Sequence, residues 1–200
     1  MRRKVVAVVV AGMLTGIAGS AAGCARGTSA GAAATTSPVD VAPVGDRPAG
    51  AKDAEVYGEV LRRYLGTPAE NSFPAKTFTT VYVLDQAHPD AGDPRGKHER
   101  GTPIAASTQQ QVTDSLAAVA EVTFIDDRAA VTETKDGCPQ VKDGGILITL
   151  GTVTGDDQKA QVPISGFVAC LGATWLTYVV QNESGTGWRV TGTTGPSAIS

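Results

Sequence analysis

The groups best suited to chemistry are concentrated between Asp85 and Glu99. They are Asp85, His88, Asp90, Asp93, His98 and Glu99, and both histidines of the chain are among them. Imidazoles with carboxylates are ligand types that suit zinc and other transition metals, and a metal held there can activate water for hydrolysis. The spacing argues the other way. His88 and His98 lie ten residues apart on a stretch broken by Pro89, Gly92, Pro94 and Gly96, with no His-x-x-x-His interval. Arg95, Lys97 and Arg100 interleave and repel a cation. The competing expectation is a solvated loop whose charges keep it off the core. His88, Asp90, Asp93 and His98 therefore stand as candidate metal ligands only, and no catalytic residue is assigned.

Other arrangements offer less. Ser165-Gly166 is preceded by Pro163-Ile164, so there is no Gly-x-Ser-x-Gly elbow, and a triad has to borrow a histidine from the loop. Gly144-Gly145 and Gly151-x-x-x-Gly155 are turn glycines, and no phosphate-binding Gly-x-x-x-x-Gly-Lys-Ser/Thr segment exists. Asp126-Asp127 and Asp156-Asp157 can pair around calcium, although such doublets more often form turns. Trp175 and Trp188, on neighbouring strand-like runs, suit either an exposed binding platform or core packing against helices. No motif calls for a cofactor.

The elements that must position these groups are readable from periodicity. Tyr57, Val60, Leu61, Tyr64 and Leu65 recur at helical spacing, with Asp53 as the expected N-cap, Gly66 as the stop and Pro68 forbidding continuation. Thr77–Asp85 is β-branched and apolar on both faces, which predicts a central strand. Gln86–Pro103 follows as a long polar loop, and loops of that length are functional or disordered. Ser107 with Gln110 has capping-box spacing and opens a second helix carrying Val112, Leu116, Val119 and Ala120. Glu121–Asp126 predicts a short strand turned by Asp126-Asp127-Arg128, with a further strand at Ala129–Glu133 and a loop at Asp136–Pro139.

Four strand-like runs end the chain: Gly145–Thr154, Ala160–Ala169, Thr174–Gln181 and Gly187–Gly192. Their alternating sets (Ile146, Ile148, Leu150; Val162, Ile164; Leu176, Tyr178, Val180) can face one core, and short Gly/Asp/Asn-rich links favour antiparallel neighbours. The expected fold is α+β, with two helices packed on a mainly antiparallel sheet that ends in a four-strand meander. No internal repeat is present.

The N-terminus sets the organisation. Met1-Arg2-Arg3-Lys4 precedes an apolar block from Val5 to Ile17 and the small residues Ala21-Ala22-Gly23 before Cys24. That order is a secretory signal, and its apolar block is shorter than the roughly 20 residues that span a bilayer. Ala21-Ala22-Gly23-Cys24 resembles the lipobox of bacterial lipoproteins, with Ala where Leu is commonest. The resemblance implies cleavage after Gly23, lipidation of the Cys24 thiol by long acyl chains such as palmitate, and a position on the extracytoplasmic face of the cell membrane. Two or more chains at about 0.8 kcal/mol per buried CH₂ anchor stably.

Residues 1–23 are thus read as signal peptide, 24–52 as the lipidated cysteine with a disordered tether, and 53–200 as one α+β domain. No aromatic residue precedes Tyr57, and a segment that cannot bury apolar surface stays disordered. Removing Arg2, Arg3 and Lys4 from the 17 basic residues leaves 14 against 20 acidic ones, a balance that excludes nucleic acid as a partner. The partners that remain are the membrane through the Cys24 lipid, and an envelope protein, a wall polymer or a small ligand at the domain.

With Cys24 assigned to the lipid, Cys138 and Cys170 form the one possible pair, in a compartment where disulfides persist. A metal thiolate pair and a reactive thiol are the alternatives. In Ala/Gly/Thr composition and layout the whole chain resembles envelope lipoproteins of the actinobacterial type. The Tyr178–Gly192 segment is similar to the closing hairpins of cystatin-like and nuclear-transport-factor-like folds. Neither resemblance supplies a catalytic residue. Together these features point to a non-enzymatic, lipid-anchored protein presenting a binding domain, with a metal-dependent hydrolase using His88 and His98 as the alternative.

Overall fold

The computed structural model describes residues 50–74, 76–97 and 99–200. The expected signal peptide, Cys24, residues 25–49 of the expected tether and His98 lie outside the described residues, whereas residues 50–52, assigned to the tether above, open the first helix.

Helix α1 (Ala51–Gly66) buries Val56, Tyr57, Val60, Leu61, Tyr64 and Leu65, the stripe its periodicity requires. It is not capped by Asp53. The chain enters through Gly50 at φ 86°, a left-handed turn that glycine adopts without a Cβ penalty, and Asp53 sits in the first turn instead. There its carboxylate faces the positive end of the helix dipole. Pro68 does not merely stop the chain: it opens a single-turn helix, α2 (Pro68–Asn71), where its missing N–H costs nothing. The buried Asn71 side chain donates to the Tyr64 carbonyl at the end of α1 and accepts from Phe73 N at 2.8 Å.

The central strand is β1 (Thr80–Leu84), shorter at both ends than its β-branched run. A two-stranded ribbon, β2 (Gln86–Ala87) with β3 (Thr102–Pro103), closes the base of the long loop. Helix α3 (Ala106–Leu116) follows. The capping box fails: Ala105 is the N-cap, no side chain caps the helix, and Val119 lies beyond its end, 44 % exposed. Strand β4 (Glu121–Ile125) comes next, and Asp127 caps α4 (Arg128–Val131) by accepting from Ala129 N at 2.8 Å. The strand expected at Ala129–Glu133 is therefore helical through Val131, since a capping aspartate outweighs the weak strand preference of Ala129-Ala130.

Strand β5 (Thr132–Lys135) and strand β6 (Cys138–Val141) form a hairpin over Asp136 and Gly137, both at positive φ, so the expected loop is a turn. The remaining strands are β7 (Ile146–Leu150), β8 (Thr154–Gly155), β9 (Lys159–Ala169), β10 (Gly172–Glu183) and β11 (Gly187–Ile199). The main sheet runs β11-β10-β9-β7-β1-β4.

The meander β7-β9-β10-β11 is antiparallel, as short links demand. The other half is not. Strand β1 lies between β4 and β7 and is parallel to both, so the fold is α+β on a large mixed sheet, with four α-helices rather than two among the described residues. Parallel neighbours require crossover connections. α3 supplies one. The segment α4–β5–β6 supplies the other, across the opposite face.

Two hydrophobic clusters record this division. The larger joins α1 and α3 to Val81, Val83, Ile146, Ile148, Leu150, Val162, Ile164, Leu176, Tyr178 and Val180. These include every alternating set read from the sequence. The smaller, of Val131, Val141 and Leu147, sits on the other face with Tyr82, Leu84, Ile125 and Phe167 half-buried around it. Cys138 and Cys170 are joined in a disulfide, their Cα atoms 5.4 Å apart, which ties the β5–β6 hairpin to the β9–β10 turn. No helix among the described residues is long and apolar enough to cross a membrane.

Candidate ligand-binding cleft

The helix-covered face of the sheet is closed by packing and by polar contacts that run from a buried pair out to the surface. Tyr64 Oη is hydrogen-bonded to Thr174 Oγ1, and burial pushes its pKa up to about 12. Tyr178 Oη donates to Glu70 at 2.7 Å, and Glu70 in turn receives Arg63 Nε at 3.0 and 3.1 Å. Burial pushes the Glu70 carboxyl up, but the hydrogen bonds from Arg63 and Tyr178 together outweigh it and leave the pKa lowered. Burial and the Glu70 hydrogen bond push the Tyr178 phenol far up, so it stays a donor.

The opposite face keeps an opening of about 340 Å³. Strand register builds its floor. Ser165 of β9 lies directly opposite Thr149 of β7 on one side and Trp175 of β10 on the other. Two residues along β9, Phe167 is flanked in the same way by Leu147 and Ala173. A row of hydroxyls ending in an indole thus runs beside an apolar row, because side chains on one face repeat every second residue. Neither the Ser165 nor the Thr149 hydroxyl has a hydrogen-bond partner among the described residues.

Two walls rise from this floor. One is the loop between β2 and β3, which contributes His88, Asp90, Ala91, Asp93 and Pro94. It lies flat on the sheet at Gly92, where an added Cβ would come within 2.7 Å of the Leu176 carbonyl and 2.9 Å of Thr177 Oγ1. The loop is folded by its own side chains. His88 Nδ1 donates to the Glu99 carbonyl at 3.1 Å, which leaves Nε2 as the acceptor of the neutral ring. Asp90 Oδ2 accepts from Glu99 N at 3.4 Å and Asp93 Oδ1 from Arg95 N at 2.8 Å, and the other oxygen of each carboxylate has no hydrogen-bond partner among the described residues. The other wall is Arg128 of α4, whose guanidinium carbon is 5.9 Å from the centre of the Phe167 ring. That guanidinium has no hydrogen bond or ion pair among the described residues.

The loop cluster read from the sequence is therefore only partly assembled. His88, Asp90 and Asp93 line one cleft. Asp85 does not: its Oδ1 is enclosed without a hydrogen-bond partner. Glu99 contributes backbone contacts, and His98 is outside the described residues. Among the described residues no three His, Cys, Asp or Glu side chains converge as a metal site needs. Ser165 and His88 share the cleft, yet no hydrogen bond joins nucleophile to base.

The two aspartate doublets are used locally. Asp127 caps α4, Asp156 accepts from Gln158 N and Lys159 N at 2.8 Å each, and Asp157 faces Lys52 at 3.5 Å. The tryptophans form no shared platform. Trp188 is 4 % exposed in the main core with its Nε1 unpartnered, while Trp175 is half-buried in the cleft.

A larger groove of about 610 Å³ lies between α1, α3 and the β10–β11 turn. Its guanidinium is already committed, since Arg62 pairs with Glu59 and donates to the Ser115 carbonyl at 3.0 Å. The smaller cleft, with uncommitted donors and acceptors around an aromatic floor, has what small-ligand sites require. Sequence reasoning missed Arg128, Phe167 and Thr149. The outward alternation of Ser165 and Phe167 along β9 was the available signal. No known family model, characterised protein or solved structure matches this chain.

Proposed function

We propose that this chain is a non-enzymatic, lipid-anchored protein of the cell envelope, which holds its α+β domain outside the cytoplasm as a binding module. The signal-like Met1–Gly23 and the lipobox-like Cys24 support the anchor, and the acidic balance of the remaining chain is consistent with attachment by lipid rather than by charge. The disulfide between Cys138 and Cys170 fits an oxidising compartment. The observation that carries the binding role is the cleft on the face opposite α1 and α3. Its walls bear a guanidinium and two half-used carboxylates that serve no fold contact through their free atoms, above a floor of Trp175, Ser165 and Thr149.

Mass spectrometry of the native protein tests the anchor directly, with a mature chain that starts at an acylated Cys24 as the expected result. Cys24→Ala moves the protein from the detergent phase to the aqueous phase. Persistence of residues 1–23, or unchanged partitioning of the variant, overturns the reading. Stoichiometric zinc in the purified protein favours the hydrolase alternative, in which His88 and His98 hold the metal.

A further inference from the structure

The cleft has a direction. Along β9, Ser165 and Phe167 line it and Pro163 precedes them on the same face of the strand, and residues two apart on a strand are separated by about 6.5–7 Å. The loop wall is seated at the Pro163 end, where a Gly92 Cβ would lie 3.2 Å from the Pro163 ring, and Arg128 stands over Phe167 at the other. The point where the loop is seated and the residue beneath Arg128 are thus about 13 Å apart along β9, with the side chains of Asp90, Asp93 and Arg128 lining the space between. Between them lie the Trp175 indole face and the free hydroxyls of Ser165 and Thr149.

A neutral ligand leaves both walls unsatisfied. The loop's own cations, Arg95, Lys97 and Arg100, do not line the cleft, so within it a simple anion is opposed by Asp90 and Asp93 and a simple cation by Arg128. Only a molecule with a charge of each sign, separated by several ångströms, complements the whole cleft. We propose that the cleft binds a short zwitterionic peptide of two or three residues, its carboxylate on Arg128 and its ammonium on Asp90 and Asp93. Two to three extended residues span about 7–11 Å, less than the backbone span from Pro163 to Phe167 over which the wall side chains reach inward. The guanidinium fork suits a carboxylate in two-pronged contact. Apolar peptide side chains lie on Trp175 and Phe167, and the hydroxyls of Ser165 and Thr149 meet the peptide amides and carbonyls. This rests on the reading of the cleft as the domain's binding site.

The test uses the full chain and its own fluorescence. Trp188 is in the core, so Trp175 is the indole that responds to occupancy. The probes are Leu-Ala and Phe-Ala as free zwitterions, the same peptides N-acetylated, the same peptides as C-terminal amides, and a soluble oligosaccharide of N-acetylglucosamine. The free peptides saturate the signal, and blocking either end weakens binding by about tenfold or more, the usual worth of a charge-assisted contact. Arg128→Ala abolishes the distinction between acid and amide. Asp90→Asn with Asp93→Asn abolishes the distinction between amine and acetyl. Trp175→Phe removes the fluorescence response while calorimetry still detects binding.

Equal binding of free and blocked peptides, or binding of the oligosaccharide alone, overturns the peptide assignment and leaves the cleft as a binding site. Silence from every probe by both fluorescence and calorimetry overturns the assignment and the binding role together.

Discussion

The two faces of one sheet have been finished differently. On the helix side, Val56, Val60, Leu61, Tyr64, Val81, Ile148, Val162 and Tyr178 are fully enclosed. On the other side, Leu84, Phe167, Ser165 and Trp175 remain half-exposed beneath a loop, a single-turn helix and a hairpin. The contrast is one of ways to hold structure. The helix face depends on dispersion and dry burial, which reward complete enclosure. The cleft face depends on one small cluster, a disulfide and local loop hydrogen bonds, which hold a framework while leaving space above it. Close packing and open space are thus assigned to opposite sides of the same strands.

Substitutions can break that division. Leu61→Ala, on the enclosed side, costs about 3–5 kcal/mol in urea unfolding through lost transfer energy and a cavity. Leu84→Ala, on the cleft side, costs about 1 kcal/mol, because part of its surface already meets water and the open cleft leaves no sealed cavity. Equal losses at the two positions contradict the contrast. Removing the disulfide with Cys138→Ser and Cys170→Ser costs about 3–4 kcal/mol by chain entropy for a 32-residue separation. Hydrogen exchange localises the first loss of protection to β5 and β6 rather than to α1.

Two glycines sharpen it further. A Cβ on Gly166 runs into the Tyr64 hydroxyl, so Gly166→Ala overpacks the enclosed side and costs about 1–3 kcal/mol. Gly92→Ala lifts the loop from Leu176 and Thr177. It costs about 1 kcal/mol or less, since the loop opens locally, yet it abolishes the cleft's ligand response. The smallest effect is on pH. The folded pKa of Glu70 is lowered, so its contribution is present above the unfolded carboxylate value and is lost as pH falls through the folded one. With Arg63 half-exposed and screened, this amounts to about 1 kcal/mol or less. Glu70→Gln flattens that part of the acid limb of stability against pH.

The enclosed side was the more legible in the sequence. The stripe of Tyr57, Val60, Leu61, Tyr64 and Leu65 needs one partner surface, and the alternation of β7, β9 and β10 supplies it, so local patterns and the global fold agree. The direction of β1 was hidden, because Thr80–Leu84 is apolar on both faces and a strand of that kind carries no mark of parallel or antiparallel neighbours. The start of α1 was misread for a related reason: a left-handed glycine and a side-chain cap do the same work, and Asp53 was the more familiar signal. The cleft was legible only on its loop wall. Thr149, Ser165 and Trp175 are brought abreast by the pairing register of three strands, and Arg128 by a capped turn that interrupts a run too short to show its period.

Helix α1 has its own consequence for how the chain is made. It packs across β9, β10 and β11, and Lys52 lies 5.5 Å from the Trp188 ring. It also packs against α3, which leaves the ribosome earlier, so the two helices can meet during synthesis while the sheet surface beneath α1 is completed only by the final hairpin.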